Sequence, residues 1–170
     1  MQPKLTRRKS VIFAETQRFS QWWLWLLFIA LGLLPMYMIY KQLILGIPVG
    51  QKPMPDAGVI VFALFIYALI LFLATIRLST EITNTEIRLR FFPFIKMTLK
   101  WDDVATARIV DYGFVGGWGI RLGTKYGTVY NIWGRLGMAI EMKNHRRYCI
   151  GTQRSQDLKR VLLKYGFSKE

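Results

Sequence analysis

Two uncharged apolar stretches constrain this chain more than any other feature. Trp22–Tyr40 runs for 19 residues and Ala57–Ile76 for 20 without an Asp, Glu, Lys, Arg or His. A bilayer core about 30 Å thick is crossed by roughly 20 helical residues, so both stretches have the length of a span. A helix in a water-soluble core keeps a polar stripe over such a distance, and neither stretch has one. The expected result is a transmembrane α-hairpin over residues 21–78, with helices at about 22–42 and 57–77. Trp22, Trp23 and Trp25 at one boundary and Tyr40 at the other suit the membrane interface, where an apolar ring with a polar tip is stable. Pro35 removes one amide donor, so a kink is expected near 31–35. Gly46–Asp56, with three prolines and two glycines, reads as the connecting loop.

Charge sets the expected orientation. Residues 1–20 carry +4, the hairpin region +1 and residues 77–170 +9. Positive flanks are retained in the cytoplasm, so both termini are expected there and the 46–56 loop outside. Arg7-Arg8 would suit a twin-arginine export signal, but the apolar run that follows is too long and lacks a small-residue cleavage site. Residues 1–20 are therefore expected to be a basic cytoplasmic segment. It either lies on anionic lipid, partly helical through Val11, Ile12 and Phe19, or simply enforces topology.

After Arg77 the apolar period shortens to two. Ile87/Leu89/Phe91, Met97/Leu99/Trp101, Ala105/Ala107/Ile109, Trp118/Ile120/Leu122 and Met138/Ile140/Met142 alternate with intervening residues, and Tyr148 and Ile150 flank Cys149. Such alternation marks strands with one face on a core. Turns at Asn84-Thr85 and Lys143–His145 suggest a meander. Thr152 as N-cap, an apolar face of Leu158, Val161, Leu162 and Tyr165, and Gly166 as a stop predict a helix over 153–165. Residues 79–170 are expected to form a mainly-β cytoplasmic domain of about seven strands, a twisted sheet or open barrel capped by that helix.

The Glu81–Phe91 hairpin, Lys100-Trp101-Asp102-Asp103-Val104, Gly116-Gly117-Trp118-Gly119-Ile120-Arg121, Tyr130-Asn131-Ile132-Trp133-Gly134 and Cys149-Ile150-Gly151-Thr152 appear in that order before the last helix. In this order the chain resembles the pleckstrin-homology-like (PH-like) fold. More narrowly, it resembles uncharacterised bacterial membrane proteins that join a transmembrane hairpin to a PH-like domain. The resemblance covers residues 21–165 and implies a multi-pass protein of the bacterial inner (plasma) membrane. It implies architecture and no particular chemistry.

Little chemistry is on offer. His145 is the single histidine and sits in an expected turn beside Arg146 and Arg147. Cys149 falls mid-strand, where a thiol packs rather than reacts. Gly116, Gly117 and Gly119 lack the lysine and following helix of a phosphate loop. Asp102-Asp103 suits a turn. No catalytic residue, cofactor or metal site is expected, and the chain reads as a non-enzymatic protein. What remains is basic charge beside a bilayer. Arg77, Phe92, Phe94 and Lys96 are placed at the membrane interface, where rings enter the boundary and cations meet lipid phosphates. Arg146, Arg147 and Arg154 form a candidate patch for an anionic partner. The expected partners are the lipid bilayer with its anionic headgroups, and an unidentified protein or a second copy meeting through Gly32 or Ala30 and Ala63. Nucleic acid is disfavoured, because no basic-aromatic reading module is present. The alternative role is an accessory subunit of a membrane transporter or enzyme complex.

Overall fold

The computed structural model describes residues 10–167, which divide into two units: residues 19–76, and residues 10–18 together with 77–167. The first unit is the helical one. Helix α1 (Trp22–Met38) widens into a π-helical segment at Ile39–Ile44, and α2 covers Asp56–Thr75. Both helices are long and apolar enough to cross a membrane. Being apolar all round, they have no amphipathic face, and small residues decide where they meet. Phe28 and Pro35 of α1 and Val59 and Ala63 of α2 are buried. Gly32 leaves room for Tyr67, whose hydroxyl donates to the Gly32 carbonyl at 3.0 Å. The seam inside the hairpin thus uses Gly32 and Ala63, which the sequence suggested for contact with a second copy. Helix α1 passes through Pro35 as continuous helix. The departure from α geometry comes after it, at Ile39, because a single missing donor is tolerated when the neighbouring bonds hold.

The second unit is built from nine strands in two sheets. Strands β1 (Val11–Arg18), β2 (Arg77–Thr83), β3 (Glu86–Phe92) and β4 (Ile95–Lys100) form an antiparallel sheet in that order. Strands β5 (Val104–Asp111), β6 (Gly119–Thr124), β7 (Gly127–Asn131), β8 (Leu136–Met142) and β9 (Arg147–Gly151) form the second, in the order β5-β8-β9-β7-β6. The order is not a meander, because β7 pairs with β9 in parallel and β8 returns to β5. Helix α3 (Ser155–Lys164) packs against β1, β5 and β8. It ends at Gly166, whose φ of 78° suits the left-handed stop.

The largest correction concerns the N-terminal segment. Val11–Arg18 is not a basic helix or a topology tail but a strand, paired with β2 from Val11↔Thr83 to Arg18↔Arg77. Its inward residues explain why. Phe13 is buried, and Gln17 donates from Nε2 to the Gly151 carbonyl at 2.7 Å. The Glu15 carboxylate accepts from Thr152 Oγ1 at 2.6 Å and from the Gln153 amide at 2.7 Å. Thr152 therefore does not cap the helix directly; it also accepts from the Arg154 amide at 3.0 Å, and α3 starts at Ser155. The helical unit is thus inserted, in chain order, into the turn of a β-hairpin. Residues 1–9 of the expected basic segment lie outside the described residues.

The inner faces carry Leu78, Ile82, Ile87, Leu89, Phe91 and Leu99 from one sheet and Ala107, Val129, Met138, Ile140 and Ile150 from the other, all buried. Trp101 leaves the strand pattern for a short 3-10 turn (Trp101–Asp103). There its ring stacks on Tyr165 at 4.6 Å, and its indole donates to the Thr83 carbonyl at 3.1 Å. Leu122, expected to face inward, is exposed, because the β6–β7 register shifts between Arg121 and Thr124.

Candidate functional site

Residues opposite one another in an antiparallel sheet share a face. The outer face of the β1–β4 sheet therefore reads as rows across the strands. The row nearest the helical insertion is Arg18–Arg77–Phe92, and the next is Thr16–Ser79–Arg90–Lys96. These rows hold four cations and no carboxylate. The guanidinium groups of Arg77 and Arg90 each lie 5.3 Å from the Phe92 ring centre, a distance at which ring and cation attract. The acids stand farther along: Arg88 bonds to Glu86 at 2.6 Å and Glu81 at 3.2 Å. Among the described residues, positive charge is thus uncompensated at one end of the sheet and paired toward the other.

Phe91 is buried in the core, Phe92 is half-buried, and Phe94 is exposed at the tip of a tight turn closed by the Phe94 amide on the Phe91 carbonyl at 2.8 Å. Arg77, Phe92 and Lys96 fall within two rows of one sheet end, with Phe94 in the turn beside them. Arg90, which flanks the phenylalanines in sequence together with Lys96, and Arg18, absent from the expected set, complete the group. The signal for Arg90 was its alternation with Leu89 and Phe91; Arg18 could be found only by recognising β1. In the helical unit, Trp22, Trp23 and Trp25 are exposed in the first turns of α1, and Tyr40 is exposed in the π-helical segment.

The expected anionic-partner patch is not assembled. Arg146 and Arg147 stand at the β8–β9 turn, where Arg147 donates to the Lys125 carbonyl at 3.1 Å. Arg154 lies beyond the opposite end of β9. It donates to the Ala14 carbonyl at 3.1 Å, pairs with Asp157 at 2.8 Å and stands 5.3 Å from the Phe13 ring. Arg154 is thus committed to holding β1. A shallow groove on the outer face of the second sheet gathers Arg108, Lys125 and Arg147 around Glu141 instead.

His145 occupies the β8–β9 turn at φ 64°. Cys149 is fully buried, and burial pushes its thiol up to about 12. Among the described residues, no three His, Cys, Asp or Glu side chains group in a way that would hold a metal. Gly117 stands where a Cβ would meet Arg121 Nη2 at 2.7 Å, at φ 112°. No family model, curated protein or solved structure matches the chain.

Proposed function

We propose that this chain is a non-enzymatic, two-span inner-membrane protein whose cytoplasmic β domain, PH-like in its strand-rich sheets and closing helix, binds the anionic bilayer surface. The carrying observation is the pair of basic rows at the end of the sheet where the helical insertion leaves and returns. Three residues separate Arg18 from Trp22, and one separates Thr75 from Arg77. At no more than about 3.5 Å per residue, the chain tethers Arg18 within roughly 14 Å and Arg77 within roughly 7 Å of a helix end.

Strand pairing supports the topology independently of charge counting. Arg18 and Arg77 are partners in one sheet, which supports a reading in which both helix junctions lie on one side of the membrane and the crossings are even in number. The helices themselves support a lipid solvent: only Phe28 and Pro35 in the first candidate span and Val59 and Ala63 in the second are buried. Leu26, Leu33, Leu64, Phe65 and Leu71 are all exposed. A surface cation near an anionic leaflet contributes about 1 kcal/mol, so Arg18, Arg77, Arg90 and Lys96 suffice to hold a tethered domain down.

The test is a nitroxide at Phe94→Cys in the full chain, reconstituted in vesicles of phosphatidylethanolamine with phosphatidylglycerol. Collisions with oxygen should exceed those with a water-soluble nickel complex, and Arg77→Ala/Arg90→Ala/Lys96→Ala should reverse that preference. A label that meets the nickel complex as freely as bulk water does would refute the reading.

A further inference from the structure

Two further segments of the β domain, the loop that runs into β6 and strand β7 with the turn after it, are devoid of charge. Tyr112–Ile120 and Tyr126–Gly134 each run nine residues without a charged side chain, in a chain of net charge +14. They are fastened together where they approach. Asp111 and Arg135 pair at 2.9 Å, and the Arg135 guanidinium holds the Asp111 carboxyl below its ordinary range. The Tyr112 amide donates to the Arg135 carbonyl at 2.9 Å and the Tyr112 hydroxyl to the Gly134 carbonyl at 3.1 Å. The Trp118 and Trp133 rings stand 5.6 Å apart. Phe114, in a loop where Gly113, Gly116 and Gly117 all take positive φ, is 89% exposed, and Trp133 is 43% exposed.

Hydrogen bonds fix which end of the domain these loops occupy. The Leu136 carbonyl accepts from the Thr152 amide at 2.9 Å, and Thr152 in turn holds Glu15. Gly137 pairs with Gly151, whose carbonyl holds Gln17. Leu136 and Gly137, at the foot of the Trp133 turn, are thus tied through Thr152 and Gly151 to Glu15 and Gln17 in the second half of β1. The β8–β9 turn at Asn144 is at the opposite end of the same strands.

We infer that the Phe114 loop and the Trp133 turn form a second bilayer-contacting element, so that the β domain meets lipid at two points rather than at the Phe92–Phe94 turn alone. The inference rests on the lipid-surface reading above and adds the contact made by the second sheet. The occupant follows from the chemistry. Exposed indole and phenyl rings on charge-free loops suit the headgroup boundary. The nearby ion pair is already neutral and costs little to bring there.

Three single-cysteine labels in the reconstituted full chain decide it: Phe94→Cys, Phe114→Cys and Asn144→Cys, with Cys149 too buried to react. In phosphatidylglycerol-containing vesicles, the label at 114 should show an oxygen-to-nickel collision ratio several-fold above that at 144. A lipid-exposed 94 with a water-exposed 114 overturns this inference and leaves the first reading intact. Water exposure at both overturns both. A 114 label shielded from oxygen and nickel alike means that protein, not lipid, covers the loop, and also overturns it. Phe114→Ser/Trp133→Ser checks the same contact without a label at 114: it should lower the collision ratio at 94 while leaving the far-ultraviolet circular dichroism unchanged. An unaltered ratio at 94 would count against two-point docking.

Discussion

Replacing Glu15 by alanine should loosen β1 and the start of the insertion with it. The carboxylate accepts two short hydrogen bonds, from buried Thr152 at 2.6 Å and from the Gln153 amide at 2.7 Å. Hydrogen bonds to a charged group contribute roughly 1.5–3 kcal/mol each. Glu15 is only half-buried, so the pair together should be worth about 2–3 kcal/mol. At about 1.4 kcal/mol per factor of ten, that lowers hydrogen-exchange protection of the β1 amides by roughly 30- to 150-fold if they open as a unit. Glu15→Gln keeps an acceptor oxygen and should lose about tenfold. The measurement is amide exchange read by mass spectrometry on the detergent-solubilised full chain, with the β8–β9 hairpin as an internal reference. Protection in Glu15→Ala within threefold of the unaltered chain would refute the reasoning that this carboxylate locks β1 to the segment after β9.

Because Arg18 and Arg77 are sheet partners, residues 19–76 should be replaceable by Asn-Gly, the two-residue hairpin turn. The product should be a folded domain without detergent, judged by dispersed amide resonances; an aggregated or unstructured product would contradict the discontinuous domain. A chain starting at residue 79 instead lacks β1 and should unfold more readily in a urea titration. With burial pushing its thiol up to about 12 from the ordinary 9.0, Cys149 at pH 9 should hold about a thousandth of its sulfur as thiolate against half in an unfolded chain. Iodoacetamide should therefore modify the folded chain orders of magnitude more slowly than the urea-unfolded one, and equal rates would contradict its burial. Gly127 sits at φ 79°, where a Cβ would run into the Arg147 carbonyl. Gly127→Ala should separate β7 from β9 and lower the thermal midpoint of the domain, and an unchanged midpoint would contradict that close approach.

How far the sequence could be read depended on which force shaped each segment. The two apolar helices announced themselves because lipid-facing residues need no alternation. Strands β3, β8 and β9 were legible because Ile87, Leu89, Met138, Ile140 and Ile150 alternate into a core. Strand β1 was hidden because two of its inward positions, Glu15 and Gln17, are polar and hydrogen-bond to residues some 135 positions away. Periodicity detects apolar burial and is silent about long-range hydrogen bonds. The order of the second sheet was hidden for a related reason: the parallel β7–β9 pair joins segments that no turn connects. For the candidate site, the Phe92–Phe94 turn could be seen from composition, while grouping Arg18 with Arg77 required the strand register. The trio Arg146, Arg147 and Arg154 looked continuous in sequence and was divided by the length of β9.

In the proposed topology the helical insertion crosses the bilayer twice and returns to the side it left. Single cysteines at Gln51, in the loop between the helices, and at Asn144, in the β domain, report the two sides in cells that express the full chain. A membrane-impermeant maleimide should label position 51 in intact cells and position 144 only after the membrane is opened. Labelling of both positions in intact cells, or of position 144 alone, would contradict it.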